Sequence, residues 1–150
     1  MEIKTLLQQK GGQVFTISGD ASAKEALDQF REKRIGCLVV LDSEGHLEGI
    51  ISERDLLYRT DGNLSDFSVR KSMTPKDQLI VGYEEDTLEY AMSVFTNARI
   101  RHMPIVKDNQ VIGIISIGDV VKTLINTEEL ENKALERFIT GTYLEVLHKV

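Results

Sequence analysis

The chain has little of what marks several large classes of protein. Its single cysteine, Cys37, excludes an intramolecular disulfide and a zinc site with several cysteines. No run approaches the ~18 apolar residues of a membrane span. The N-terminal segment MEIKTLLQQKGG lacks the apolar core of a signal peptide. These absences predict a soluble protein of a reducing compartment, and we expect it to be cytoplasmic.

Positive charge is also scarce, because 18 Lys and Arg stand against 24 Asp and Glu in 150 residues, a formal net charge of −6. Such a balance gives no general attraction to nucleic acid or to an anionic membrane surface. Two prolines and 11 glycines leave no room for a long disordered stretch. We therefore expect one or two small globular domains, with no nucleic-acid partner and no membrane partner.

The patterns of catalytic sites are missing as well. The sequence has no Walker loop, no G-x-G-x-x-G motif and no nucleophile elbow. His46, His102 and His148 have no metal-ligand spacing with the one cysteine. We therefore predict a protein that is not an enzyme and that needs neither a metal nor a catalytic cofactor.

What the chain does have is an internal repeat. The segment Gly49–Asp55, GIISERD, recurs as Gly113–Asp119, GIISIGD, with five of seven residues identical at an offset of 64. Apolar residues at i, i+3, i+4 and i+7 from Ala23, and again from Leu88, predict one buried helix face in each copy. Short apolar runs predict the strands Val14–Ile17, Ile35–Leu41 and His46–Ile51 in the first copy and Leu79–Val81, Ile100–Val106 and Val111–Ile115 in the second.

Each copy therefore reads as β-α-β-β-α in roughly 55 residues, which is too small to bury a sufficient core alone. We predict an α/β (α+β) fold in which two such units pack with pseudo-twofold symmetry. A short linker helix is expected from Ser65, and Thr127 is the predicted N-cap of a helix that ends at Thr140, before Gly141. The predicted organisation is an N-terminal helical segment 1–13, a first unit 14–60, a linker 61–72, a second unit 73–126, and a C-terminal helix and tail 127–150.

Two Ser-x-x-Asp motifs follow the predicted strand ends, at Ser52 and Asp55 and again at Ser116 and Asp119. As a lone motif this pattern favours a capping box, in which the hydroxyl and the carboxylate bind free backbone N–H groups. Its repetition after Gly-Ile-Ile, where a helix opens from a strand, favours a site for a phosphate or a sugar. There the carboxylate would accept both hydroxyls of a ribose. From the residues alone, both interpretations stay open.

Basic residues surround the second strand entry, where Arg99, Arg101 and His102 lie within four residues. In an acidic chain such a cluster suits a phosphorylated ligand, and a solvated loop with a buried, satisfied histidine is the alternative. The first copy has Gly36 and Cys37 at the matching positions, so the two clefts differ chemically.

Two further positions bear on a ligand. Arg54 offers a planar positive group to an anion, whereas Gly118, its counterpart in the second copy, lets the backbone approach a ligand closely. Cys37 lies inside an apolar run, so we interpret it as a small buried hydrophobe rather than a nucleophile.

Together these motifs resemble a known family. The doubled G-h-h-S-x-x-D (h, hydrophobic), the element RHMPIV at Arg101–Val106 and the opening MTP at Met73–Pro75 are similar to those of a tandem pair of CBS domains, often called a Bateman module. Cystathionine β-synthase, IMP dehydrogenase and the gamma subunit of AMP-activated kinase carry such pairs. The resemblance extends from about Val14 to Lys122, and the segments ISERD, SIGDVVK and ITGTY are similar to stand-alone two-CBS proteins.

The resemblance implies a regulatory, non-catalytic module that binds adenosine ligands in clefts between the units. AMP is the first expected ligand, and NAD(H), ADP and ATP are the alternatives. Ribose is expected at Asp55 or Asp119 and phosphate near Ser52, Ser116 and the Arg101–His102 pair. The full set of expected ligand-binding residues is Thr16, Gly36, Cys37, Ser52, Arg54, Asp55, Val81, Arg101, His102, Met103, Pro104, Ser116, Gly118 and Asp119.

The resemblance also implies a homodimer, in which the predicted helix Thr127–Thr140 finds a partner surface, and a partner protein that the module regulates. The alternative function is a ligand-independent dimerisation or interaction scaffold, in which the Ser-x-x-Asp motifs only cap helices. Similarity to IMP dehydrogenase concerns only its regulatory insert, because the catalytic barrel and its cysteine loop are not found in this sequence.

Overall fold

The structure, a computed structural model, describes the backbone of residues 1–148 and the side chains up to residue 140, residue 138 excepted. Short 3-10 turns lie at Leu64–Asp66 and Lys76–Gln78. The helices and strands, in chain order, are α1 (Ile3–Lys10), β1 (Thr16–Ser18), α2 (Ala23–Lys33), β2 (Cys37–Leu41), β3 (Leu47–Ser52), α3 (Glu53–Arg59), α4 (Val69–Ser72), β4 (Thr74–Pro75), β5 (Gly82–Tyr83), α5 (Leu88–Ala98), β6 (His102–Lys107), β7 (Gln110–Ser116) and α6 (Ile117–His148).

Each repeat forms its own small sheet. In the first, β1 is parallel to β2 and β2 is antiparallel to β3, to which β4 adds as an antiparallel edge strand. In the second, β5 is parallel to β6 and β6 is antiparallel to β7. The predicted α/β fold class, with two units of β-α-β-β-α order, is confirmed.

The first strand of each repeat begins later than predicted. β1 starts at Thr16 rather than Val14, and β5 (Gly82–Tyr83) lies wholly after the predicted strand Leu79–Val81, so the position of that strand was wrong. In the second repeat the reason is local, because the N–H of Leu79 donates to the carbonyl of Lys76 at 3.1 Å and closes a 3-10 turn. A backbone group used in that turn does not take part in a sheet.

The helices that follow these strands match the prediction closely. Ser22 forms the expected capping box with Glu25, since the hydroxyl accepts from the Glu25 N–H and the carboxylate accepts from the Ser22 N–H. Thr87 accepts from the N–H of Tyr90 at the matching position. The apolar faces of α2 and α5 are buried in two separate cores, so the helical spacing read from the sequence identified the buried side of each helix.

Each core is completed by the helix that precedes the other repeat. Ile3 of α1 is fully buried in the second core, and Val69 of α4 is fully buried in the first. The backbone contacts match, because the Ile3 N–H donates to the Asp86 carbonyl at 2.8 Å and the Val69 N–H donates to the Ala21 carbonyl at 2.7 Å. The repeat therefore extends upstream of the copies that sequence comparison detected, at an offset of 66.

Two helix predictions are wrong in part. In place of one helix from Ser65, the structure has the 3-10 turn Leu64–Asp66 and then α4. Helix α6 runs unbroken from Ile117 to His148, so Thr127 is not an N-cap and Gly141 lies within the helix. The Thr127 hydroxyl donates to the carbonyl four residues earlier at 2.9 Å, which suits a helix interior. No proline or glycine lies between residues 119 and 140 to end the helix.

Gly49 in β3 marks a close approach between β3 and the segment before the second repeat. A Cβ at this position would overlap the carbonyl oxygen of Thr74 and lie 2.8 Å from Sδ of Met73. We expect Gly49→Ala to lower the free energy of unfolding by about 1–3 kcal/mol, because backbone cannot move aside cheaply. The control is Gly12→Ala, where nothing lies within 4 Å of the added atom. Equal unfolding free energies in urea for the two variants would contradict this account.

Candidate functional site

Two cavities lie between the repeats. The first cleft has a volume of about 580 Å³ and contains Asp55, and the second has a volume of about 320 Å³ and contains Asp119. The first is formed by the ends of β2 and β3 with α3, together with residues 99–102 of the second repeat. The second is formed by the end of α1, residues 13–15 and the start of α6. Gly36, Cys37 and His102 line both clefts, so these three residues lie on the boundary between them.

The strand-to-helix junctions at the two clefts are built alike. The N–H of Glu53 donates to the carbonyl of Gly36 at 3.2 Å, and the N–H of Ile117 donates to the carbonyl of Arg101 at 3.0 Å. Each junction is thereby tied to the entry of the neighbouring strand. The pseudo-twofold relation of the repeats thus brings the two Ser-x-x-Asp motifs to corresponding positions, one in each cleft.

At the first cleft, Asp55 forms the capping box that its sequence motif favoured. The N–H and the hydroxyl of Ser52 donate to Oδ2 of Asp55 at 2.8 and 3.0 Å, and the Asp55 N–H donates to the Ser52 hydroxyl at 3.3 Å. The other oxygen, Oδ1, lies 3.4 Å from Nε of Arg59. Because the cap occupies one carboxylate oxygen, capping does not exclude a second role for this group.

Arginine dominates the charge of the first cleft. Arg99 ends α5 in a left-handed conformation, with φ at 53°, and this turn directs the chain along the cleft toward β6. Arg59 is anchored by a hydrogen bond of 2.8 Å to the carbonyl of Met73. The charged residues that line the cleft are four arginines and two carboxylates, namely Arg54, Arg59, Arg99, Arg101, Glu53 and Asp55. This local excess of positive charge, in a chain of net charge −6, suits an anionic ligand.

Cys37 begins β2 and is buried, as predicted for a small hydrophobe. Burial raises the pKa of its thiol to about 12, and the negative charge of Asp55 acts in the same direction. The thiolate that a nucleophile requires is therefore scarce at neutral pH.

His102 begins β6 at the position that corresponds to Cys37 and pairs with Ser116 across the sheet. Burial lowers the pKa of its imidazole below the ordinary value, and the charge of Lys10 lowers it further. The imidazole is therefore neutral at pH 7, and the positive charge of the predicted basic cluster resides on Arg99 and Arg101.

At the second cleft, Asp119 repeats the cap but has an additional partner. The N–H of Ser116 donates to Oδ2 of Asp119 at 2.9 Å, and the Asp119 N–H donates to the Ser116 hydroxyl at 3.1 Å. Nζ of Lys10 donates to the same Oδ2 at 2.8 Å and to the carbonyl of Ile114 at 2.8 Å. Burial raises the pKa of Asp119, but the hydrogen bonds from Lys10 and Ser116 outweigh it and hold the pKa below the ordinary value.

The clefts contain nine of the predicted ligand-binding residues. Those in the first cleft are Gly36, Cys37, Ser52, Arg54, Asp55, Arg101 and His102, and those in the second are Gly36, Cys37, His102, Ser116 and Asp119. The five that line neither cleft are Thr16, Val81, Met103, Pro104 and Gly118. Met103 instead packs in the second core, because neighbouring side chains of a strand point to opposite faces and His102 faces the clefts.

Sequence reasoning missed several residues of the clefts, among them Lys10, Tyr58, Arg59 and Ile80. Arg59 lies one helical turn after Asp55, a spacing at which opposite charges meet. Lys10 could have been found by extending the repeat upstream. At the offset of 66, the matching pairs are Ile3 and Val69, Leu7 and Met73, and Lys10 and Lys76.

No helix within residues 1–148 has the length and apolar character required to cross a bilayer. Among the side chains that the structure describes, those up to residue 140 except residue 138, no three of His, Cys, Asp or Glu come together as a group that could hold a metal ion.

Comparisons with known proteins identify the family and agree with the fold described above. The sequence profile of the family described as "CBS domain" matches residues 11–61 and 68–126, which is more than half of the chain. The chain belongs to the CBS-domain family. Two solved CBS structures share its fold: NE2398, at 35% identity and a TM-score of 0.78, and ATU1752 from Agrobacterium tumefaciens, at 36% and 0.75. The alignments cover 83% and 81% of this chain, and 98% and 91% of those chains.

Curated relatives carry the same pair of domains. CBS domain-containing protein CBSX3, mitochondrial, from Arabidopsis thaliana is 35% identical to this chain. The alignment covers 83% of this chain but only 63% of the length of that protein. An uncharacterized 17.7 kDa protein from Acidianus ambivalens is 34% identical, with 86% of this chain and 78% of that protein aligned. The inosine-5'-monophosphate dehydrogenase of Nitrosopumilus maritimus matches over only 21% of its length, so the similarity to that enzyme is confined to its CBS region. CBS-domain proteins are typically regulatory.

Proposed function

We propose that the first cleft binds an adenosine nucleotide, AMP first and NAD(H), ADP or ATP as alternatives, and that binding regulates a partner protein. One observation carries the proposal. Asp55, whose side chain is only 14% exposed and whose carboxylate is fixed by the Ser52 cap, lines the same cavity as Arg99 and Arg101 of the other repeat.

The lining of the first cleft supplies what each part of a nucleotide requires. A carboxylate accepts hydrogen bonds from both hydroxyls of a ribose, and charge-assisted bonds of this kind are the stronger ones. Arginine binds phosphate oxygens through a planar set of donors. An apolar wall for a base is provided by Ile50, Tyr58, Leu79, Ile80 and Ile100. A volume of about 580 Å³ falls within the ordinary range for small-molecule sites.

In this proposal, regulation follows from the position of the cleft between two separate cores. A ligand that contacts Asp55 on one repeat and Arg101 on the other stabilises the arrangement in which both lie around it. Such a ligand shifts the population of conformations only as far as its affinity differs between them. In this proposal the partner protein responds to that shift.

The second candidate function is a ligand-independent dimerisation or interaction scaffold, and exposed apolar side chains on two helices favour it. Leu57 of α3 is 73% exposed, and Leu130 of α6 is 68% exposed. Further exposed apolar residues follow along α6, at Val121, Ile125, Leu135 and Ile139. We propose a homodimer through the side of α6 that carries Val121, Ile125, Leu135 and Ile139, and it is compatible with either function.

Titration calorimetry of the full chain with AMP, ADP, ATP, NAD⁺ and NADH separates the two functions, with GMP as the control. We expect saturable binding of one or more adenosine compounds and weaker binding of GMP. Thermal unfolding supplies a second readout, because a ligand at ~100 times its Kd stabilises by about 2.7 kcal/mol. Absence of binding by every adenosine compound at millimolar concentration would contradict the proposal and favour the scaffold.

A further inference from the structure

We infer that Lys10 is an internal occupant of the second cleft, so that this chain has one adenosine site rather than two. The inference rests on the proposed function, because it assigns to Asp119 the same ability to hold a ribose that is proposed for Asp55. In the second cleft the ammonium group of Lys10 lies against Oδ2 of Asp119 and the carbonyl oxygen of Ile114, so it takes up the space in which a ribose would bind there.

The contacts of Lys10 match those of such an occupant. Its Nζ donates to Oδ2 of Asp119 and to the carbonyl oxygen of Ile114, each at 2.8 Å. One acceptor is the carboxylate of the Ser-x-x-Asp motif, and the other is the backbone of β7 just before that motif. The ammonium group thus lies where β7 ends and α6 begins. There it is bonded to Asp119, the residue that corresponds to Asp55 of the first cleft.

The first cleft has no equivalent occupant among the described residues. Lys76 corresponds to Lys10 at the offset of 66, and it does not line the first cleft. Arg59 lies at 3.4 Å from Oδ1 of Asp55, but it belongs to α3, the same helix as Asp55, whereas Lys10 reaches Asp119 from a separate helix. The volumes of the two clefts agree with this difference, since the first measures about 580 Å³ and the second about 320 Å³.

The position of Lys10 is fixed by the fold rather than by the ion pair alone. Lys10 is the last residue of α1, and Ile3 and Leu6 of this helix are buried in the second core. The helix ends at Gly11, whose φ of 82° is readily available only to glycine and whose N–H donates to the carbonyl of Leu7 at 3.1 Å. The ammonium group is therefore delivered to Asp119 by a helix that the second repeat itself anchors.

The test compares the wild-type chain with Lys10→Met, which keeps an unbranched side chain of similar length and removes the ammonium group. Titration calorimetry with AMP is expected to give one site per wild-type chain and two per variant chain. The double variant Lys10→Met, Asp119→Asn is expected to return to one site. The matched control, Lys76→Met, removes the corresponding lysine of the other repeat and is expected to keep one site.

Each outcome decides the matter. Two sites in the wild type, or a single site in both the wild type and Lys10→Met, would overturn the inference and leave the proposed function standing. Binding by Lys10→Met but not by the wild type, abolished when Asp119→Asn is added, would support Lys10 as the occupant of the second cleft and overturn the proposal for the first cleft. Absence of binding in both chains would overturn both. A readout without ligand is the carbon NMR titration of Asp119, whose pKa must rise in Lys10→Met, and an unchanged value would also overturn the inference.

Discussion

Asparagine in place of Asp55 is expected to remove most of the affinity for adenosine nucleotides while the fold persists. The amide is nearly isosteric, and its oxygen can still accept from the N–H and the hydroxyl of Ser52, so the hydrogen bonds of the capping box are largely retained. What is lost is the negative charge that would accept two ribose hydroxyls. At about 1.5 kcal/mol for each charge-assisted bond, the loss corresponds to roughly 100-fold weaker binding, which titration calorimetry measures directly.

The matched control for Asp55→Asn is Asp119→Asn, which makes the same chemical change at the corresponding position of the other repeat. Its carboxylate is already bonded to Lys10, so we expect nucleotide affinity at the first cleft to stay within about a factor of three, less than 1 kcal/mol. Circular dichroism and urea unfolding report whether each variant keeps its fold. If a folded Asp55→Asn variant binds AMP as tightly as the wild type, the carboxylate acts only as a helix cap.

The parts of the fold that the sequence predicted well are those with a local physical cause. The spacing of apolar residues from Ala23 and from Leu88 placed α2 and α5, and their buried faces, because a helix repeats every 3.6 residues. The repeated heptapeptides placed the ends of β3 and β7 and both capping boxes. These features depend on neighbours within one or two turns of the chain.

The parts that it predicted poorly depend on distant residues or on a residue with two compatible roles. Thr127 can cap a helix or lie within one, and only the continuity of α6 distinguishes the two. Lys10 meets Asp119 across 109 positions of sequence, so no local pattern marks the pair. Met103 was assigned to the site with its neighbour His102, although strand alternation puts the two side chains on opposite faces.

The packing of α1 against the second repeat joins residues far apart in the sequence. Because of it, the core of the second repeat is complete only when α1, which precedes the first repeat, is in place. Ile3 lies in α1, yet it is fully buried against α5 and the sheet of the second repeat. If this packing stabilises the whole chain, the chain should respond to Ile3 as to a core residue. If α1 instead lay on the surface without contributing to the core, a substitution at Ile3 would leave the free energy of unfolding almost unchanged.

We accordingly expect Ile3→Ala to lower the free energy of unfolding by about 2–4 kcal/mol, because it removes buried methyl groups and leaves a cavity. Urea unfolding measures this loss, and Ile80→Ala, the same change at a side chain that is 39% exposed, should cost less than about 1 kcal/mol. Hydrogen exchange locates the effect, since amides of β6 and β7 should lose protection before those of β2 and β3. Equal costs for the two variants, or earlier loss in β2 and β3, would show that α1 does not complete the second core.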